Sequence, residues 1–176
     1  SSYVQPLKSI SLKEGFEELV GKNINILYSS GPFEQVPEGF YKENNDFYTI
    51  SDDGKTAGLK AEIFDNMNLE NDPVATRIDE IIDFSFRKYI AEDILCQKVS
   101  VRWSGNIQVK KSGKYKFVLS GDDGYRFFIN DKLKIDEWQD QSEKMTHEII
   151  DLEVGKEYDI RLEFYQNGGS ASFRFG

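Results

Sequence analysis

Between Gly113 and Asp136 the chain reads GKYKFVLSGDDGYRFFINDKLKID, and apolar and polar positions alternate through much of it. Tyr115, Phe117 and Leu119 fall on one face and Lys114, Lys116 and Val118 on the other, the period-two pattern of a half-buried strand. Gly121-Asp122-Asp123-Gly124 interrupts that pattern with turn chemistry. Tyr125, Phe127 and Ile129 then resume it, and Asn130-Asp131 suits a two-residue hairpin because both residues tolerate positive φ. Leu133 and Ile135 carry the buried face into a third strand. The stretch predicts a β-meander with an acidic turn at one end. That turn is the first candidate site.

The same alternation recurs on both sides. Leu59, Ala61 and Ile63 precede the meander, as do Val99, Val101 and Trp103, then Ile107 and Val109. Residues 144–152 follow it, with poor alternation around His147, and Tyr158, Ile160, Leu162 and Phe164 alternate cleanly after them. Ala171, Phe173 and Phe175 close the series, and turn signals at 111–113, 155–156 and 167–169 separate the runs. That rhythm predicts a mainly β fold, an antiparallel sandwich or barrel-like domain. Residues 66–97, with Pro73 and anchors at Ile78, Ile81, Ile82, Phe84 and Phe86, read as a long irregular loop packed over the sheets or over a site.

The N-terminal part has a different period. Ser11-Leu12-Lys13-Glu14 is a capping box, with Leu12, Phe16, Leu19 and Val20 on one helical face and Gly21 at the left-handed C-terminal position. Asn23–Tyr28 reads as a strand. One helix and one strand cannot bury a core alone. The expectation is therefore a helix–strand remnant of an α/β domain at 1–31, a polar connector at 32–57 with a short strand near Phe47–Ile50, and the β domain at 58–176. The start reads as a cut inside a longer protein.

Composition narrows the function classes. A formal net charge of −9 and a pI near 4.7 argue against a nucleic-acid phosphate backbone as partner. No apolar run approaches the ~20 residues of a membrane-spanning helix, so no membrane partner is expected. Cys96, the only cysteine, can form no intrachain disulfide and reads as a buried, inert thiol. His147 is the only histidine, and nothing around it builds a nucleophilic triad. No catalytic residue is assigned.

Several spaced blocks resemble the protective-antigen (PA14) domain: GLKAEIFDN at 58–66, VATRIDEIIDF at 74–84, the stretch 99–138, and EVGKEYDIRLEFYQNGGSASFRF at 153–175. That resemblance implies a β-sandwich and, usually, carbohydrate recognition. Residues 1–31 look like the start of the α/β sandwich domain of glycoside hydrolase family 3, some of whose β-glucosidases carry a PA14 insert just after such a strand. Leu12 stands where that family more often has proline.

In the sugar-binding members that this chain resembles, two adjacent aspartates joined by a cis peptide hold calcium, with asparagine and loop carbonyls completing the site. Carried over, the metal and sugar set is Asp122, Asp123, Asn167 and the carbonyl of Gly169, all hard oxygens of the kind calcium takes. Trp138, beside Asp136 and Glu137, could stack on a sugar face, though a rim or core aromatic is the more ordinary role. Against the metal stands a plain alternative: GDDG as a turn whose carboxylates bond backbone N–H groups, as the second acidic pair, Asp52-Asp53-Gly54, suggests.

The resemblances together imply a non-catalytic module that shapes substrate selection in a β-glucosidase-type enzyme. Its partners would be a glucoside or oligosaccharide and the enzyme's catalytic barrel and sandwich domains, in a periplasmic or secreted parent. An autonomous calcium-dependent lectin module and a structural spacer are the alternatives.

Overall fold

The computed structural model describes residues 47–51, 54–86 and 89–176, and the helix and strand expected at 1–31 lie outside them. Two antiparallel sheets face each other across an aromatic core. The first contains, in spatial order, β11 (Lys132–Glu137), β10 (Gly124–Ile129), β13 (Glu157–Gln166), β8 (Val99–Gln108), β1 (Phe47–Ser51) and β2 (Gly54–Ala57). β3 (Leu59–Phe64) also pairs with β8, and β4 (Ala75–Asp79) pairs with β3. The second sheet runs β12 (Lys144–Leu152), β9 (Gly113–Asp122), β14 (Ala171–Phe175) and β5 (Asp83–Phe86). A separate small hairpin joins β6 (Tyr89–Ala91) to β7 (Ile94–Leu95). The mainly β, antiparallel sandwich expected from the alternation is what the chain builds.

The residues that alternate inward supply the core. β8 and β13 pair along their whole length, from Val99↔Gln166 to Gln108↔Glu157, which sets Trp103 beside Leu162 in the middle of the sheet. Trp103 is fully buried and stacks on Phe173 of the facing sheet at 5.1 Å. Phe127 and Phe175 meet across the same gap at 5.6 Å, and Phe117 and Phe127 at 5.1 Å. Each aromatic contact of this type adds about 0.5–1.5 kcal/mol beyond the area it buries. Cys96 lies in this core, and burial pushes its thiol up to about 12, so the inert reading holds.

Two expectations change. The Gly113–Asp136 stretch is not a continuous meander: β10 pairs with β11 and β13, whereas β9 pairs with β12 and β14. The chain leaves one sheet at Asp122 and enters the other at Gly124, with Asp123 between them. Alternation reports which face of a strand is buried and is silent on which sheet holds it, so the hairpin reading of this link had no support beyond proximity. The downstream turn does form as expected, with Asn130 and Asp131 at φ of 47° and 58°. The 66–97 excursion contains four short strands rather than one irregular loop; of its expected anchors Ile82 is buried, as is Ile90, whereas Ile78 and Ile81 are exposed.

The glycines of the acidic link also act differently from turn glycines. Neither Gly121 nor Gly124 has a positive φ. A Cβ on Gly124 would lie 2.2 Å from Cε1 of Tyr165, and one on Gly121 would lie 2.7 Å from Cδ1 of Tyr125. Both positions are places where a ring rests on bare backbone.

Candidate functional site at the sheet-switching corner

Because the chain changes sheets at Asp123, this residue stands where the ends of β9, β10 and β13 converge. Its peptide bond to Asp122 is cis, and the side chain is 7% exposed. The carboxylate bonds two segments remote in sequence. Oδ2 accepts the backbone N–H of Asn167 at 2.9 Å and Oδ1 that of Gln141 at 3.2 Å. The Gln141 side chain closes the grip from the other side, Nε2 donating to the Asp123 carbonyl at 3.1 Å.

Gln166 holds the corner from within. It ends β13 fully buried, and its Oε1 accepts the Asp123 N–H at 3.1 Å. Its Nε2 donates to the carbonyls of Gly168 at 2.8 Å and Ser170 at 3.1 Å, which shapes the 167–170 loop around one side chain. Gly169, between those two carbonyls, is exposed with φ of 89°. Asn167 donates Nδ2 to Asp140 Oδ2 at 2.9 Å, while Asp140 Oδ1 accepts the Tyr165 hydroxyl at 2.7 Å. Trp138 meets the Tyr165 ring edge-on at 4.7 Å, and the Arg126 guanidinium lies 4.0 Å over the indole.

Negative charge gathers here. Burial, with the charges of Asp123 and Glu143 added, raises the Asp122 carboxyl above its ordinary value. Glu143 accepts Ser120 Oγ at 3.0 Å and pairs with Arg174 at 3.0 Å. Hydrogen bonds from Tyr165 and then Asn167 lower the Asp140 carboxyl, and burial followed by the bond to Asp140 raises the Tyr165 phenol.

Of the residues singled out from sequence, Asp123 and Asn167 are in direct contact. Asp122 adjoins them electrostatically, Gly169 lies in the same loop, and Trp138 sits on the rim against Tyr165. Asp123 does bond backbone N–H groups, as the plain turn reading expected, but the donors are 18 and 44 residues away rather than local. Sequence reasoning places Asp140, Gln141 and Gln166 only within the candidate contact tips 136–142 and 166–170, with no individual role, and misses Glu143. Gln166 carried a signal: it continues the inward face of Ile160, Leu162 and Phe164, and a polar side chain on a buried face requires partners. The other three gave none.

The oxygen set suits a hard cation. Among the described residues no three His, Cys, Asp or Glu side chains gather as a metal-binding group. The arrangement here is of another kind, two adjacent carboxylates with neutral amide and carbonyl oxygens, which calcium accepts. Gln141 Oε1 is a buried acceptor without a hydrogen-bond donor, and the crowded charges of Asp122, Asp123 and Glu143 would be relieved by a positive ion.

The model of the PA14 domain family matches residues 55–175, from β2 to the last residue of β14. The chain belongs to the PA14 domain family. Among its relatives is the Acetivibrio thermocellus anti-sigma-I factor RsgI3, 37% identical over 120 residues, which cover 68% of this chain and 18% of that protein. A solved anti-sigma factor domain-containing protein from Clostridium clariflavum superposes with a TM-score of 0.62 at 36% identity, covering 68% of this chain and 41% of that one. A PA14 sugar-binding domain from an RTX adhesin gives 0.59 at 18% identity, covering 68% of this chain and 88% of that one. A β-glucosidase from Kluyveromyces marxianus gives 0.62 at 19% identity, covering 75% and 19% respectively. The last two share the fold. This PA14 chain spans less than half the length of the anti-sigma relatives it matches.

Within the PA14 domain, Gly124 is the position on which the site's geometry leans. Gly124→Ala is expected to push the Tyr165 ring off its seat, costing about 1–3 kcal/mol as an overpacking change. The urea midpoint should fall, and the near-ultraviolet circular dichroism should change as Tyr165 and Trp138 lose their fixed contact. An unaltered midpoint would show that the ring has room to move.

Proposed function

We propose that this PA14 domain recognises carbohydrate at the sheet-switching corner, with calcium held between the protein and sugar hydroxyls. The observation that carries the reading is the Asp123 carboxylate. Both oxygens are fixed by backbone amides of two different loops, so its remaining lone pairs face a direction set by the whole fold. Asp122, Asp123, Asn167 Oδ1 and the Gly169 carbonyl would hold the ion. When bound, it supplies open coordination positions for vicinal hydroxyls. Trp138, half-buried and backed by the buried Tyr165, offers an aromatic rim, and Asp140 an acceptor for further hydroxyls. The sugar-binding adhesin domain with the same fold supports this reading.

The likeness to the β-glucosidase, together with the family 3 character of residues 1–31, favours a second placement in which the module caps a glycosidase active site. The higher identity of the anti-sigma relatives instead favours a recognition module attached to other machinery. Both placements use the same corner. Deleting residues 58–176 from a full-length glycosidase parent should change the ratio of rates on short and long substrates more than the rate on aryl glucosides. An equal loss on every substrate would count against the cap.

Calcium tests the corner itself. At calcium one hundred times its dissociation constant, stability should rise by about 2.7 kcal/mol. For a domain of this size that is a shift of several degrees in Tm, reversed by EDTA. A panel of immobilised oligosaccharides should be bound with calcium present and released by EDTA. Binding that survives EDTA would remove the metal from the reading, and no binding to any glycan would remove recognition.

A further inference from the structure

We propose that Asp140, in the link between β11 and β12, is a positioning residue that orients the Asn167 amide for the ion; this inference rests on the calcium reading above. A side-chain amide can present its oxygen or its NH2 to a given point, and only the oxygen ligates a cation. Asn167 Nδ2 is committed to Asp140 Oδ2 at 2.9 Å, so the lone pairs of Oδ1 are what the side chain has left to offer.

The orienting group is itself held. Asp140 Oδ1 accepts the Tyr165 hydroxyl at 2.7 Å, and the Tyr165 ring lies in van der Waals contact with Gly124 and edge-on to Trp138. The backbone of Asn167 is pinned separately, through its N–H to Asp123 Oδ2 at 2.9 Å. Two independent bonds therefore fix one residue, one at the main chain and one at the amide. A carboxylate suits position 140 because both of its oxygens face donors; an amide there keeps the bond to Asn167 only by turning its NH2 to the Tyr165 hydroxyl, which then accepts instead of donating. Outer groups that orient ligands in this way typically set affinity by 10- to 100-fold. Asp140 is an exposed side chain, so core stability gives no competing account of its bonds.

Asp140→Ala leaves the Asn167 amide without its acceptor and should weaken calcium binding, measured by titration calorimetry with the metal alone, by about 10-fold or more. Metal-free Tm should change by no more than a degree or two. In the metal-free protein, the Asn167 side-chain NH2 resonances should lose their protection from solvent exchange in the same variant. Exchanging donor and acceptor, with Asp140→Asn and Asn167→Asp together, keeps the hydrogen bond in reverse and returns an oxygen to the ion. That double variant should recover affinity to within about threefold of the parent. Wild-type affinity in Asp140→Ala, or a double variant as weak as Asp140→Ala, would overturn the positioning role while leaving the calcium reading intact. A parent protein that gives no calcium heat and no thermal shift would overturn both.

Discussion

Trp103→Ala is expected to cost about 3–5 kcal/mol, the loss associated with truncating a large, fully buried aromatic. The indole is fully enclosed, stacks on Phe173 at 5.1 Å and on Phe84 at 6.2 Å, and thereby joins the two sheets. Its Nε1–H donates to Asp79 Oδ2 at 2.7 Å, and the other oxygen of Asp79 pairs with Arg77 at 2.8 Å. Alanine would therefore open a cavity and also take one partner from a largely buried carboxylate. Domains of this kind have about 5–15 kcal/mol to lose, so the variant should be close to unfolded at physiological temperature. Trp103→Phe keeps a stacked ring and loses the bond, and about 1–3 kcal/mol is expected. Chemical denaturation of both variants checks the argument. A loss below about 1 kcal/mol for alanine would mean that the sheets are held elsewhere.

Asp123→Ala should lower metal-free stability, whereas Asp122→Asn should not. Asp123 accepts the N–H groups of Asn167 and Gln141, and its loss strands both near the protein interior. Each unsatisfied amide costs about 1–3 kcal/mol, and the two need not add, since they share one network. Metal-free stability should fall, and the calcium response should vanish. Asp122 is different, because its carboxyl is raised by burial and by the charges of Asp123 and Glu143. A carboxyl whose folded value lies above its unfolded one destabilises the fold when ionised, and the penalty disappears as pH falls through the folded value. Neutralising it should hold or raise metal-free Tm at neutral pH while still abolishing the calcium response. Equal losses in both variants would show that the pair acts as one structural unit.

The inward faces were legible because period two is enforced by geometry: Trp103, Phe127, Leu162 and Phe173 fall where alternation put them. Partner choice was not legible. Phe117 and Phe127 carry the same pattern and sit in opposite sheets, since nothing in a strand's own sequence names its neighbour. At the site, the acidic pair and the asparagine stood out through the resemblance, and Gln166 could have been read from its face. Asp140 could not. It is an ordinary loop acid until the fold brings Tyr165 and Asn167 to it, 25 and 27 residues away.

Those separations also govern when the corner comes into being. Its bonds span 18, 25, 27, 43 and 44 residues, so each closes a long loop before it repays the entropy. None can be made by a hairpin folding alone. β8 and β13 must pair, and the sheets must stack, before Gln166 and Asn167 stand opposite Asp123. The corner should therefore assemble after the rate-limiting step, and substitutions there should speed unfolding while leaving the folding rate nearly unchanged. In a living cell, such a residue would set how long a folded copy lasts rather than how quickly one is made.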